Sequence, residues 1–192
     1  MPVLATALIF SVFAAAIFLS VDSPDAQRAD AQAKPPAALK SPAEIDAYAG
    51  KLRAHLEQQP GDARSWVMFA RMQAELERFP EAAQAYEKAL ALPSKVARDP
   101  AVWCEYADAL GMAQGGKLSG KPRELIDRAL ALDADHPKAL EMAGSAAYEQ
   151  GDYEETLRFW RPLLARLETG SQEHHELTVA ITRTERLAAS AN

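Results

Sequence analysis

From Ser41 onward, hydrophobic residues recur at helical spacing in short blocks, each closed by Pro, Gly or Asp. Ser41-Pro42-Ala43-Glu44 has the order of a capping box, with Ser41 as N-cap, Pro42 in the first turn and Glu44 three residues after the cap. Ile45, Tyr48, Leu52 and Leu56 follow on one face, which predicts a helix over 42–59 that stops at Gln59-Pro60-Gly61. The next stretch, Trp66 to Ala89, carries a particular order of sizes. Trp66 and Phe69 are large and Ala70 is small; after a break at Phe79-Pro80 come Ala82, Tyr86 and Ala89. Large residues fill the space between two antiparallel helices, and small ones let the backbones approach. The stretch therefore reads as a helical hairpin.

The same order returns at a constant interval. Asp62 caps the first helix of the opening unit and Pro80 starts its second, which runs to Leu92, so the unit covers 62–93. Asp99 and Pro100 open another over 99–133, with Trp103, Tyr106, Ala107 and Leu110 standing where Trp66, Phe69, Ala70 and Gln73 stood. Its second helix holds Leu125, Ile126, Ala129 and Leu132. A third unit, over 136–168, places Leu140, Ala143, Gly144 and Ala147 on its first helix and Thr156, Trp160 and Leu163 on its second. Gly115-Gly116-Lys117-Leu118-Ser119-Gly120 lengthens the middle turn, since insertions in repeats map to loops. Pro162 falls inside the last repeat helix, which it should bend or shorten by removing a backbone hydrogen bond. Beyond Gly170-Ser171 an amphipathic segment with Leu177, Val179, Ile181 and Leu187 predicts a capping helix over 171–190. The expected fold is all-α: a tetratricopeptide (TPR) α-solenoid of antiparallel hairpins over 41–192.

Val3 to Val21 is a different kind of segment, uncharged and interrupted only by Thr6, Ser11 and Ser20. At about 1.5 Å per residue it reaches roughly 28 Å, the hydrocarbon thickness of a bilayer, and it shows no polar face. The expectation is one transmembrane anchor over 1–21. A cleaved signal peptide is the alternative: Ala29-Asp30-Ala31 and Ala31-Gln32-Ala33 resemble cleavage sites, although they lie far past the apolar run, and no Lys or Arg precedes it. Asp22 to Lys40 is Ala, Pro, Gln and charge, too poor in apolar mass to offset its conformational entropy, and is expected to be a flexible linker over 22–40. Arg28, Lys34 and Lys40 follow the span, which on the charge rule leans the remainder towards the cell interior; the residues alone leave topology open.

Composition narrows the chemistry. Hydrophobic residues make up 48% of the 192-residue chain and aromatics 7%, so the apolar mass is chiefly Ala and Leu, as packed helices require. A formal charge of −6 without a basic stripe argues against a general nucleic-acid binder. Cys104 is the one cysteine, which rules out an intrachain disulfide framework and a Cys-only zinc site. It reads as a small half-buried residue with no neighbouring Lys, Arg or His to activate it. His174 and His175, side by side on a helix, point apart, and His55 and His136 have no ligand-like neighbours. With no nucleophile motif, phosphate loop or metal spacing, an enzyme is not expected, nor any cofactor. Trp66, Trp103 and Trp160 hold repeat positions and read as hairpin core.

Function should then fall to the concave surface that stacked hairpins expose, lined by the first helix of each repeat. Offsets from Trp66, Trp103 and Leu140 place Arg64, Val67, Arg71, Ala74 and Glu75 there from the first repeat. The second supplies Ala101, Cys104, Asp108 and Met112, and the third Lys138, Glu141, Ser145, Tyr148 and Glu149. Apolar Val67, Met112 and Tyr148 set between charges suit an amphipathic helix or a peptide end. Arg64 and Arg71 are candidates for a C-terminal carboxylate, although either one alone reads as solvated surface.

Several segments go beyond a generic repeat. They are the Ser23-Pro24-Asp25-Ala26 exit from the apolar helix, the Pro60-Gly61-Asp62-Ala63-Arg64-Ser65-Trp66 entry, Arg78-Phe79-Pro80-Glu81-Ala82-Ala83-Gln84-Ala85-Tyr86, and the Gly115–Gly120 insertion ahead of Ala129-Leu130-Ala131-Leu132-Asp133. Tyr148-Glu149-Gln150-Gly151-Asp152-Tyr153 leading to Phe159-Trp160 completes them. With the apolar N-terminus, the chain resembles, over residues 3 to 185, the membrane-anchored TPR proteins of bacterial cytochrome c maturation (CcmI, also called CycH, with the related NrfG proteins). The resemblance implies a single-pass inner-membrane protein whose TPR domain lies in the periplasm. It implies that this domain holds apocytochrome c, notably its C-terminal helix, and presents it to the haem ligation complex. Longer members carry a further N-terminal membrane helix and a cytoplasmic loop, whose functions are not carried over. A second reading, from another class, is a membrane-tethered scaffold that assembles other envelope proteins.

Overall fold

The structure is a computed structural model and describes residues 41–191. The anchor expected over 1–21 and the linker expected over 22–40 lie outside the described residues. Among the described residues no helix is long and apolar enough to cross a membrane.

Eight α-helices follow one another, with no strand among the described residues: α1 Pro42–Gln58, α2 Ala63–Glu75, α3 Phe79–Ala91, α4 Pro100–Ala113, α5 Lys121–Leu132, α6 Pro137–Glu149, α7 Tyr153–Leu164 and α8 Gln172–Ala191. Each packs chiefly on its neighbours in sequence, so α2/α3, α4/α5 and α6/α7 form three hairpins, with α1 against α2 and α8 against α7. This one-dimensional packing defines a TPR-like solenoid.

The helix starts follow from capping chemistry. At α1 the Ser41 hydroxyl accepts the Glu44 N–H while the Glu44 carboxylate accepts the Ser41 N–H, a full capping box. Asp62, Asp99 and Asp152 each accept an N–H from the first turn of α2, α4 and α7. Asp62 also meets His55 Nε2 at 3.0 Å, tying the end of α1 to the start of α2. Burial pushes its carboxyl up, but the Ser65 and His55 bonds outweigh that and leave it below the usual range. A short 3-10 turn, Lys95–Arg98, which the sequence pattern does not predict, fills the step into α4.

Small residues line the hairpin interiors, with Ala70, Ala82, Ala89, Ala107, Ala129, Ala143 and Ala147 fully buried. The three tryptophans fill the gaps beside them, and each indole N–H donates to a backbone carbonyl: Trp66 to Pro60 at 2.9 Å, Trp103 to Ala97 at 3.0 Å and Trp160 to Glu141 at 3.3 Å. The first two staple the loop that precedes their own helix. Pro162 lies two residues before the end of α7, which at 12 residues is as long as α5. The shortening expected of it is absent, because only last-turn hydrogen bonding is lost there.

Candidate protein-binding face

The residues singled out for a groove sit on α2, α4 and α6, and the structure sorts them by what already holds them. Arg71 on α2 reaches across to α4, where Nε and Nη2 donate to the two carboxylate oxygens of Glu105 at 2.9 and 2.8 Å. Tyr86 on α3 donates its hydroxyl to the same carboxylate at 3.0 Å. Burial alone would lower the Arg71 pKa, but the bidentate bond and charge of Glu105 raise it above its usual value. Burial and the Glu105 charge push the Tyr86 phenol up as well. Arg71 is therefore a structural cation joining two repeats, and the expectation of it as a free carboxylate clamp is corrected on that ground. Val67 is also displaced from the expected surface: it is 5% exposed and belongs to the core cluster that joins α2 to its neighbours. Arg64 and Glu75 remain exposed at opposite ends of α2.

On α6, Lys138 pairs with Glu141 at 3.1 Å, one turn along the same helix. Asp108 on α4 lies close enough to Lys138 and Glu105 to feel both charges, yet among the described residues no hydrogen bond or ion pair to its side chain is present. Its surface is open to solvent while the flanking helices crowd the carboxylate. That crowding raises its pKa, Lys138 opposes the rise and Glu105 adds to it. Met112, one turn beyond Asp108, is 44% exposed, unusual for a large apolar side chain in this fold. Ser145 is half-buried. Tyr148 is drawn into the third hairpin, stacked on Trp160 with ring centroids 5.9 Å apart and edge-on to Tyr153 at 5.7 Å.

Two contacts escaped sequence reasoning. Cys104 is 2% exposed, not half-buried, and its Sγ lies 3.8 Å from His136 Nδ1, with Lys138 also within electrostatic reach. Both neighbours come from the next repeat, so local spacing could not reveal them. Burial still dominates and pushes the thiol up to about 12, which leaves it unreactive at neutral pH. His136 Nδ1 also accepts the Ala139 N–H at 3.3 Å and so caps α6. The glycine-rich insertion is the other case. Gly115 and Gly116 take φ of 76° and 84°, which side-chain-bearing residues resist. The loop folds back to bury Leu118 at 3% exposure, and the Leu118 N–H donates to Glu149 of α6 at 3.0 Å.

The remaining chemistry is sparse. A hollow of about 480 Å³ between α1, α2 and α3 is lined by Arg53, Leu56, Trp66, Phe69, Gln73 and Lys88 among others, and none of the predicted groove residues contributes to it. Its cations lie over its rings, Lys88 Nζ 4.5 Å from the Trp66 centroid and Arg53 5.5 Å from that of Phe69. Among the described residues no group of His, Cys, Asp or Glu is arranged to hold a metal.

Fold and face together define a TPR-type helical scaffold, a class that works by presenting a surface to other proteins. Residues 14–174 match the model of the cytochrome c-type biogenesis protein H TPR domain, and the chain belongs to that family. The cytochrome c-type biogenesis protein CycH of Bradyrhizobium diazoefficiens is 33% identical over 112 residues, 58% of this chain and 30% of that protein. The protein of the same name from Pseudomonas aeruginosa is 29% identical over 126 residues, 66% of this chain and again 30% of the relative. The chain thus matches less than a third of the length of these curated relatives. The formate-dependent nitrite reductase complex subunit NrfG of Escherichia coli O157:H7 is 25% identical over 122 residues, 64% of this chain and 58% of that protein. Among solved structures, a crystal structure of MamA protein superposes with a TM-score of 0.63 at 12% identity, over 78% of each chain, a likeness of fold.

Proposed function

We propose that this protein is a membrane-anchored TPR chaperone of c-type cytochrome maturation. In this reading the TPR domain lies in the periplasm, binds apocytochrome c through the face of α2, α4 and α6, and presents it to the haem ligation complex. The observation that carries the reading is the match of residues 14–174 to the TPR domain of cytochrome c-type biogenesis protein H. The apolar Val3 to Val21 segment supports the anchor, since its length and lack of charge suit a bilayer. Glu75, Asp108, Met112, Glu141 and Ser145 supply partner contacts along this face, with Arg64 at its edge, while Arg71 and Tyr148 brace it from within. The proposed role is one of binding, in keeping with a TPR-type helical scaffold.

The test is capture of apocytochrome c by the full chain in detergent, with and without the cytochrome's C-terminal helix. Capture that depends on that helix is the expected result. Equal capture of both forms, or of neither, would sink the proposed mode, and normal covalent haem attachment in a deletion strain would favour the envelope scaffold instead.

A further inference from the structure

The face of α2, α4 and α6 has its cations committed within the chain and one carboxylate left uncommitted. Arg71 is held bidentately by Glu105, and Lys138 by Glu141. Asp108, close enough to Lys138 and Glu105 to feel both charges, has neither hydrogen bond nor ion pair among the described residues. Glu75 and Glu149 flank the face at the helix ends and add to its negative charge. One turn from Asp108 along α4, Met112 offers the face's exposed apolar side chain, 44% accessible.

We infer that this face selects a basic amphipathic segment, with Asp108 receiving its lysine or arginine and Met112 contacting its apolar side. The inference deepens the function proposed above and rests on it. Charge complementarity decides the occupant. A partner carboxylate arriving here would find Arg71 and Lys138 already neutralised and would face Asp108, Glu105 and Glu141. A partner ammonium or guanidinium would find one acceptor carboxylate that no internal donor bonds, Lys138 acting on it only at a distance. The helices around the acceptor crowd it, although its surface stays open to solvent, and this strengthens a charge-assisted hydrogen bond to an incoming cation. Specificity then comes from a carboxylate that the free protein leaves without an internal bonded partner. The Met112 side chain, flexible and polarisable, adapts to the apolar face of an incoming helix.

The probes are two labelled model peptides that share one apolar helical face and differ only in carrying lysine or glutamate on the polar face. Binding to the full chain is read by fluorescence anisotropy. The lysine peptide should bind at least roughly tenfold more tightly than the glutamate peptide, and its affinity should fall with added salt. Asp108→Asn should weaken the lysine peptide by roughly tenfold, and Met112→Ala by a few-fold, with circular dichroism of both variants unchanged. Equal affinity for the two peptides, no binding of either, or an Asp108→Asn variant that binds as well as the parent each overturns the inference. Apocytochrome capture run alongside separates the two readings. Apocytochrome held equally by the parent and Asp108→Asn overturns the charge-selective face and leaves the chaperone reading standing. Lysine-peptide binding without apocytochrome capture does the reverse.

Discussion

The first and third hairpins close similar gaps with differently placed bulk. In the first, the large groups are shared, Trp66 and Phe69 on α2 and Tyr86 on α3, around small Ala70, Ala82 and Ala89. In the third, α6 sets Leu140 and Tyr148 beside small Ala143, Gly144 and Ala147, and Trp160 of α7 lies directly on Gly144. The seams with the middle hairpin differ too. An ion pair, Arg71 with Glu105, closes the first, whereas the third is closed by Arg123 with Glu155 at 3.0 Å, by Glu149 receiving the Leu118 N–H and by the Cys104–His136 contact. A ring lying directly on a glycine tolerates less change than rings set around alanines, and a seam resting on one ion pair fails differently from one spread over several contacts.

The packing difference is broken most directly by exchanging the two small residues. A Cβ added at Gly144 would come 2.1 Å from Trp160 Nε1, far inside any contact distance. Helix propensity alone favours Gly144→Ala by about 1 kcal/mol. The clash should reverse the sign, for a net loss of about 2–3 kcal/mol in urea unfolding. Ala70→Gly has no such clash to make or relieve and should cost about 1 kcal/mol through propensity and lost contact. Equal losses at the two sites would show that the hairpins tolerate change alike. Adding Trp160→Leu to Gly144→Ala should recover part of the loss if the indole is the obstacle.

At the first seam, Arg71→Ala should cost about 1–2 kcal/mol, since it leaves the half-buried Glu105 carboxylate with only the Tyr86 hydroxyl. Exposure of both partners keeps the figure below that of a fully buried pair. A double-mutant cycle with Glu105→Ala isolates the coupling, and a value indistinguishable from zero would remove the ion pair from the account of the seam. The cycle also explains why charge reversal at Arg71 is a poor probe of partner binding: it breaks this bridge first.

The sequence made the hairpins legible because their rules are local. Size order at Trp66, Phe69, Ala70 and Tyr86, with its echo at Trp103 and Leu140, is set by contacts within one hairpin. The caps at Ser41, Asp62 and Asp99 are set within one turn. The face was harder to read for the opposite reason. Arg71 finds Glu105 and Cys104 finds His136 across a repeat boundary, at separations of 34 and 32 residues. Offset counting names the helix face on which a side chain lies but not the acceptor waiting on the next helix. Val67 and Tyr148 show the same limit: both have the right offset, and one is claimed by the core while the other is claimed by Trp160. A better signal was available for Arg71, because a glutamate falls almost one repeat further on.

The third seam should fail gently. Glu149→Ala removes the acceptor of the Leu118 N–H but leaves Leu118 itself buried, so global stability should fall by less than about 1 kcal/mol. The effect should appear as faster amide exchange at Leu118 and Ser119. Unchanged exchange there would mean that burial of Leu118 alone pins the loop.

The smallest expected effect has the opposite sign and lies between the two seams. The Asp108 carboxyl titrates above the usual aspartate range in the folded chain, because crowding and Glu105 disfavour its charge more than Lys138 favours it. A folded-state pKa above the unfolded one means that the native protein binds the proton more tightly. The charged form therefore lowers stability at neutral pH, and this penalty disappears as pH falls below about 4. Asp108→Asn should thus raise the melting temperature slightly at pH 7, with the gain shrinking to nothing in acid. Asp62, held below its usual range, works in the other direction, losing its contribution as pH falls through its depressed folded pKa, but it is common to both proteins and cancels in the comparison. A loss of stability at pH 7, or a gain independent of pH, would show that Asp108 has an internal partner in solution. The expected outcome, a variant more stable at neutral pH yet poorer at holding a basic peptide, is what a carboxylate kept for a partner should give, since its unfavourable setting in the free protein is relieved only when that partner binds.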